Sequence, residues 1–397
     1  MSMLARVMLL AAGLLAAAPA YSAEAELPPG VAAERPSEGP FVEHDGVFLV
    51  PYWEQVPGAD VRFEMIPVPG GELLLGSPDS EPGRADDEGP QRRVTLPPFW
   101  IAAREVSWAE YRPFMNLCAA FEKFNDAGTR PVTDENRVDA ITAPSKLYEP
   151  SFTFAAGEDP QLPAVSMTQF SAKQYSKWIS LVNERFYRLP TEAEWEHACR
   201  AGSGAAYAFG DGAEQLNQHA WHAGNSDEAT HPVGQKRPNA WGLYDMHGNA
   251  CEWVLDAYTP EGYAALPPGP TPSDQAVQWP TKLSPRTLRG GSALLDAERS
   301  RSAARRAADD EELKLYDPNT PTSPWWYAND EAQDIGFRLV RPYAAPAADG
   351  RAKVWDADVP TILRVANFRI EKEGRGEWGL ADPDLPAALE ALRRPSK

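Results

Sequence analysis

Proline and glycine fill 39 and 29 of the 397 positions of this chain. Proline fixes φ and donates no amide hydrogen, and glycine enters conformations closed to other residues, so such a chain is cut into short elements joined by long irregular loops. Buried loop amides and carbonyls still require partners. The fold therefore needs internal tethers, and the 43% of hydrophobic residues supplies core enough for one large domain. Disulfides are not those tethers. Cys118, Cys199 and Cys251 are the only cysteines, too few and too scattered for a framework, and an odd count leaves a thiol unpaired.

The first 23 residues read as a signal peptide. Arg6 is followed by an apolar run from Val7 to Ala18 and by small residues at Ala20, Ser22 and Ala23. The run is shorter than the roughly 20 residues that span a bilayer. A periplasmic or secreted protein is expected, with no transmembrane segment after cleavage and no cysteine at the cleavage site to carry a lipid. Residues 24–60 are rich in Pro, Glu and Ala without periodicity and read as a linker, the domain as 61–343, and 344–397 as a C-terminal extension. With 57 acidic and 38 basic residues the formal net charge is −19, a field that repels nucleic acid. The same acidity suits divalent cations, although a solvated acidic surface explains it equally.

Local patterns place several elements. Phe63–Val68 and Glu72–Leu75 flank Pro69-Gly70-Gly71 and read as a hairpin; Arg93–Leu96 and Phe99–Ile101 read as strands. Ser107 and Glu110 form a capping box that starts a helix running to about Phe121, with Pro113 bending it. A second helix is expected over Ser171–Asn183, where Tyr175, Trp178, Ile179 and Val182 share a face. A third follows Pro190, capped by Thr191 and Glu194 and ended by Gly202. In the tail, Pro360–Asn367 reads as a strand and Pro386–Leu392 as a short helix.

Several blocks then occur in a fixed order: Arg188-Leu-Pro-Thr-Glu-Ala-Glu-Trp-Glu196, Gly242-Leu-Tyr-Asp-Met-His-Gly-Asn249 with Glu252-Trp253, Arg289-Gly-Gly-Ser292, and Gly336-Phe-Arg338. Shorter supporting blocks, among them Glu105-Val106-Ser107, lie before and between them. Together they resemble the sulfatase-modifying-factor family, whose best-known member is the formylglycine-generating enzyme. The resemblance implies an α+β fold related to C-type lectin domains, with short strands, a few helices and long ordered loops. It also implies a calcium ion, held by side chains at Asp245 and Glu252 and by main-chain oxygens of Gly248 and Ala250. Calcium accepts such mixed oxygen ligands, and Gly248 permits the tight turn that would aim them. Otherwise Asp245 and Glu252 cap local turns or pair with arginines. A second calcium site is implied around Asn217 or Asn225.

The same resemblance bears on catalysis. Formylglycine-generating members use two cysteines, three and eight residues after the serine of the Arg-Gly-Gly-Ser block, to hold copper through soft thiolates. Here those positions are Leu295 and Ser300, so that reaction is not expected. Ser292, Arg289, Leu295 and Ser300 would line the former catalytic cleft. Arg289, Arg305 and Arg338 are expected to tie loops to carboxylates, with binding of an acidic substrate group as the alternative. A non-heme iron branch of the family carries its ligands on a separate helical domain that this chain lacks; His219, His222 and His231 are the remaining candidates for a metal site, against a reading as polar loop residues. Trp325-Trp326-Tyr327 would fill the core or form an aromatic wall for sugar or peptide.

Two functions remain. The first is an exported accessory or binding module, comparable to family members that assist secretion, gliding or denitrification, with a protein or small-molecule partner. The second is an oxidoreductase of the wider family acting on a small molecule or a partner protein.

Overall fold

The computed structural model describes residues 27–126, 140–147, 150–313, 323–368 and 378–380. The expected signal peptide and the helix expected at Pro386–Leu392 lie outside them. The architecture is α+β: short strands in small sheets, a few helices, and long loops between.

One four-stranded antiparallel sheet is ordered Val340–Pro342, Phe99–Ala102, Arg62–Val68, Tyr52–Gln55. A second is ordered Arg305–Ala308, Arg286–Arg289, Cys251–Ala257, Ile335–Gly336, the last pair parallel. A third joins Gly71–Leu75 to Arg92–Leu96, with Thr271–Pro272 added in parallel. The expected hairpin is therefore corrected. Both of its strands exist, but Arg62–Val68 pairs with Phe99–Ala102 while Gly71–Leu75 pairs with Arg92–Leu96. Between them a Cβ on Gly70 would lie 2.7 Å from the Leu96 carbonyl oxygen, so the chain passes from one sheet to the other where only glycine fits.

The described part of the expected linker is folded. Val31–Ala32, Val42–His44 and Val47–Leu49 form a small sheet, and Tyr52–Gln55 joins the first large sheet. Leu49, Tyr52 and Val56 are buried in the core. Apolar residues two apart are enough to make short strands even where proline and acidic residues dominate the composition.

Two helices start where their capping boxes predict, and the one expected from Ser171 starts two residues earlier. Ser107 and Glu110 form the capping box of Trp108–Met115, and a second helix, Leu117–Asp126, follows after Asn116. Pro113 supplies no N–H to the first helix, which ends two residues later. The Thr168 hydroxyl accepts the Ser171 N–H at the start of Gln169–Val182. Thr191 and Glu194 cap Glu192–Arg200, which ends at left-handed Ala201 just before Gly202. Pro360–Phe368 is helical, not a strand. Proline suits a first helical turn, where its missing N–H costs nothing, and this outweighs the β-branched content of the run.

A small hydrophobic cluster gathers Ala206, Tyr207, Leu216 and Ala220, and two large ones pack between these elements. The larger includes Trp100, Trp108, Tyr111, Tyr175, Trp178, Trp253 and Phe337, and the smaller Val68, Val94, Trp195 and Val254. Trp325, Trp326 and Tyr327 belong to the larger one; Trp325 stacks on Phe170, and all three are buried. They fill the core and form no open wall. Among the described residues no helix is long and apolar enough to cross a membrane.

Candidate functional site

The strand Arg286–Arg289 runs into Gly290 and Gly291, both with positive φ, and then Ser292. A Cβ on Gly291 would meet Ser300 Oγ at 2.4 Å and the Arg299 carbonyl oxygen at 2.8 Å, so glycine is required for space as well as for conformation. This close approach brings the glycine turn before Ser292 against Arg299 and Ser300.

At the positions expected to line the cleft the Ser292 hydroxyl is hydrogen-bonded, whereas the Ser300 hydroxyl is buried and meets no hydrogen-bond partner. Ser292 is buried; its hydroxyl donates to the Asp334 carboxylate and accepts from the Leu294 N–H at 3.2 Å. Asp334 is held in turn by Arg306, at 3.0 and 2.9 Å. Ser300 is buried, and its carbonyl accepts from Nδ1 of His247 at 2.8 Å. Because the Ala208 N–H donates to the other ring nitrogen, Nδ1 carries the hydrogen, and burial pushes His247 down to about 4, leaving it neutral. Leu295 is packed partly against the core. Leu294, 36% exposed, borders a small recess together with Trp108, Leu162, Val165, Ala229 and Gln333.

The three arginines act as loop tethers. Arg289 is fully enclosed, donating to Glu192 and Glu196 at 3.3 and 2.6 Å and to the carbonyls of Ala303 and Ser302. Arg305 pairs with both oxygens of Glu192 and reaches the carbonyls of Asp87 and Thr259. Arg338 holds Glu252 and the carbonyls of Ala102 and Tyr244. A planar guanidinium with five donors can satisfy a carboxylate and several loop carbonyls at once. None of the three is open to an acidic substrate.

Around the expected calcium position lie four buried charges: Glu105, Asp245, Glu252 and Arg338. Asp245 and Asn249 adopt positive φ, and a Cβ on Gly248 would lie 2.1 Å from the Trp221 carbonyl oxygen, so the loop is tightly wound. Asp245 Oδ2 accepts the Gly234 N–H at 2.6 Å, while its Oδ1 is buried and meets no donor. Glu105 accepts from Asn249 Nδ2 at 2.9 Å and from the Ala250 N–H at 2.8 Å. Glu252 takes three contacts of 2.6–2.8 Å from Arg338 and one of 2.8 Å from the Trp195 indole. Burial, then the neighbouring Asp245 and Glu252, holds the Glu105 carboxyl well above its usual range, and burial raises Asp245 to about 6. Three carboxyls thus share the buried Arg338 guanidinium, with the Arg104 charge acting in addition on Asp245.

Such an excess of buried acid is relieved by protonation or by a cation. The unmet Asp245 oxygen and the surplus carboxylate fit calcium, which also accepts main-chain oxygens such as those of Gly248 and Ala250. Glu252 would have to share its carboxylate with the ion. Among the described residues no three His, Cys, Asp or Glu side chains converge as a metal-holding group, so main-chain oxygens would carry much of the coordination. Glu105 was visible in the sequence as part of a short block, but nothing local to that block indicates that it folds against Asp245.

Other candidates separate. His219 stacks on Phe209 and His231 on Trp221, while His222 meets Asn217 at 2.7 Å, so the three histidines do not gather. Asn217 and Asn225 do come together, at 3.1 Å. Cys118, Cys199 and Cys251 are all buried thiols, and no disulfide joins them.

The profile of the sulfatase-modifying factor enzyme 1-like domain matches residues 56–343. This chain belongs to the sulfatase-modifying factor family. Family relatives include a formylglycine-generating enzyme of Streptomyces coelicolor, 32% identical over 69% of this chain and 87% of the relative. A mouse relative described as inactive C-alpha-formylglycine-generating enzyme 2 is 31% identical over half of this chain and 70% of its own length. In structure, Treponema denticola variable protein 1 has a TM-score of 0.51 at 21% identity, covering 74% of this chain and 99% of its own, which shows a shared fold. The sulfatase-modifying factor domain thus spans both the glycine turn at Ser292 and the acid cluster around Asp245.

Proposed function

We propose that this protein is an exported, calcium-stabilised member of the sulfatase-modifying factor family that works as an accessory or binding module without formylglycine-generating activity. The observation that carries the reading is the pair Leu295 and Ser300 at the two positions where the resemblance puts the thiolates. An isobutyl group and a buried hydroxyl cannot hold copper as thiolates do. The cysteines that are present do not replace them: burial pushes both Cys199 and Cys251 up to about 12, where almost no thiolate forms at neutral pH. A relative described as inactive agrees with such a loss within the family. The recess beside Leu294 gives a binding module a small apolar foothold next to the former cleft.

The test is a Cys-x-Pro-x-Arg peptide incubated with the purified mature protein, oxygen and copper. No aldehyde is expected, and turnover would overturn the reading. Metal analysis separates this function from an oxidoreductase of the wider family: calcium alone favours the module, stoichiometric iron or copper the enzyme. Calcium itself is tested by melting with and without a chelator. At about 100 times its dissociation constant a bound ion adds about 2.7 kcal/mol, and Asp245→Ala should remove that gain. Identical melting of the unmutated protein in both conditions would exclude the ion.

A further inference from the structure

Helix Gln169–Val182 carries two buried lysines, Lys173 and Lys177, and the strand Arg286–Arg289 opens on a third buried cation, Arg286. All three meet one short stretch beyond the family domain. Lys173 Nζ donates to the Asp356 carbonyl at 2.7 Å and to Asp358 Oδ2 at 3.1 Å. Lys177 Nζ pairs with Asp356 Oδ1 at 2.9 Å. Arg286 grips both oxygens of Asp358 at 2.8 Å. Among the described residues, Asp356 and Asp358 are the only carboxylates within ion-pair distance of these cations.

The apolar part of the stretch docks as firmly. Trp355 is buried 5.0 Å from the ring of Phe186; its indole donates to the Tyr187 carbonyl, and its own carbonyl accepts from Gln174. Val354 and Val359 are buried on either side. Arg286 connects this stretch to the site. It also donates to Gln169 Oε1 at 2.9 Å, and it begins the strand that leads directly into Gly290, Gly291 and Ser292.

We propose that residues 348–359 form a C-terminal clasp that pins the strand Arg286–Arg289, and with it the glycine turn at Ser292, so that the cooperative unit extends past residue 343 to include the clasp. The physical reason is charge. Lifting the clasp strands three buried cations without their carboxylates, and breaking one side of a buried pair is strongly unfavourable. The clasp therefore cannot fray alone like an ordinary terminus; its opening must loosen the strand that Arg286 begins. Against the effect of burial, the Arg286 and Lys173 charges hold the Asp358 carboxyl down at about 2, so Asp358 stays ionised at ordinary pH.

Hydrogen exchange of the full-length protein, read by mass spectrometry, tests this. In the unmutated protein residues 348–359 should be protected; exchange there at the rate of an unstructured chain overturns the clasp. Asp358→Asn should speed exchange at least tenfold both in 348–359 and in 286–292. Acceleration confined to 348–359, or none, overturns the coupling. Failure of Asp358→Asn to fold supports a clasp inside the cooperative unit, and the coupling is then read from Lys177→Met, which releases only Asp356. There too, faster exchange in both segments supports the proposal, and a change in one alone or in neither sinks it.

Discussion

Arg338 closes on both oxygens of Glu252 from inside the protein, and neither residue touches solvent. The pair joins Gly336-Phe-Arg338 to the strand Cys251–Ala257, so two blocks that identify the family are also held together physically. Removing one partner leaves a buried charge beside Asp245 and Glu105. Arg338→Ala is expected to cost about 3–5 kcal/mol in urea unfolding. Arg338→Met with Glu252→Gln removes both charges and should recover part of that loss. A single variant within 1 kcal/mol of the parent would show that the pair is not closed in solution.

Gly291 sits where the chain packs tightly against Ser300. It combines φ of +67° with a Cβ position 2.4 Å from Ser300 Oγ and 2.8 Å from a carbonyl oxygen. Alanine must strain the backbone and push Ser300 aside. Gly291→Ala should therefore destabilise by about 2 kcal/mol or more, beyond the effect of left-handed strain alone. Gly269→Ala is the control, because its Cβ would meet nothing within 4 Å and its φ is not in the left-handed region. Equal melting temperatures for the two variants would contradict the tight turn.

Caps and turn residues were legible because they act within three or four positions: Ser107 with Glu110, Thr191 with Glu194. Pairing was less legible. Nothing near Phe63–Val68 reveals that its partner is Phe99–Ala102, and Pro69-Gly70-Gly71 looks the same whether it reverses a strand or passes it to another sheet. Residues 27–60 were hidden by composition, because their strands are two to four residues long. At the site, Leu295 and Ser300 followed from counting beyond Ser292. The tethering of Ser292 could not, since Asp334 lies 42 residues further along. Glu105 was missed for the same reason: it meets Asn249 and Ala250 from 144 and 145 positions away.

The cysteines should be inert in the native state. Cys118, Cys199 and Cys251 are buried, and burial raises Cys199 and Cys251 to about 12. A thiol probe such as Ellman's reagent at pH 8 should release no colour until denaturant is added, and then three equivalents. One thiol reacting within minutes in the folded protein would reopen a redox role at that position.

Glu110 gives the protein a stability term near neutral pH. Burial raises its carboxyl from 4.5 to about 7, against the opposing hydrogen bonds from Ser107 and the charge of Arg104. The folded state then binds a proton that the unfolded chain has already released. Between about pH 4.5 and 7 the folded state holds more protons, so stability falls as pH rises through this window; below it the term is constant. Glu110→Gln keeps an oxygen for the Ser107 N–H and hydroxyl and preserves the capping box. The variant should lack this one component of the pH dependence. Because other buried acids titrate in both proteins, the quantity to measure is the difference in unfolding free energy between parent and variant at pH 4.5 and pH 7.5. Relative to the variant, the parent should lose about 1–2 kcal/mol across that interval, allowing for partial exposure. A difference independent of pH would mean that the carboxyl ionises as an ordinary surface glutamate.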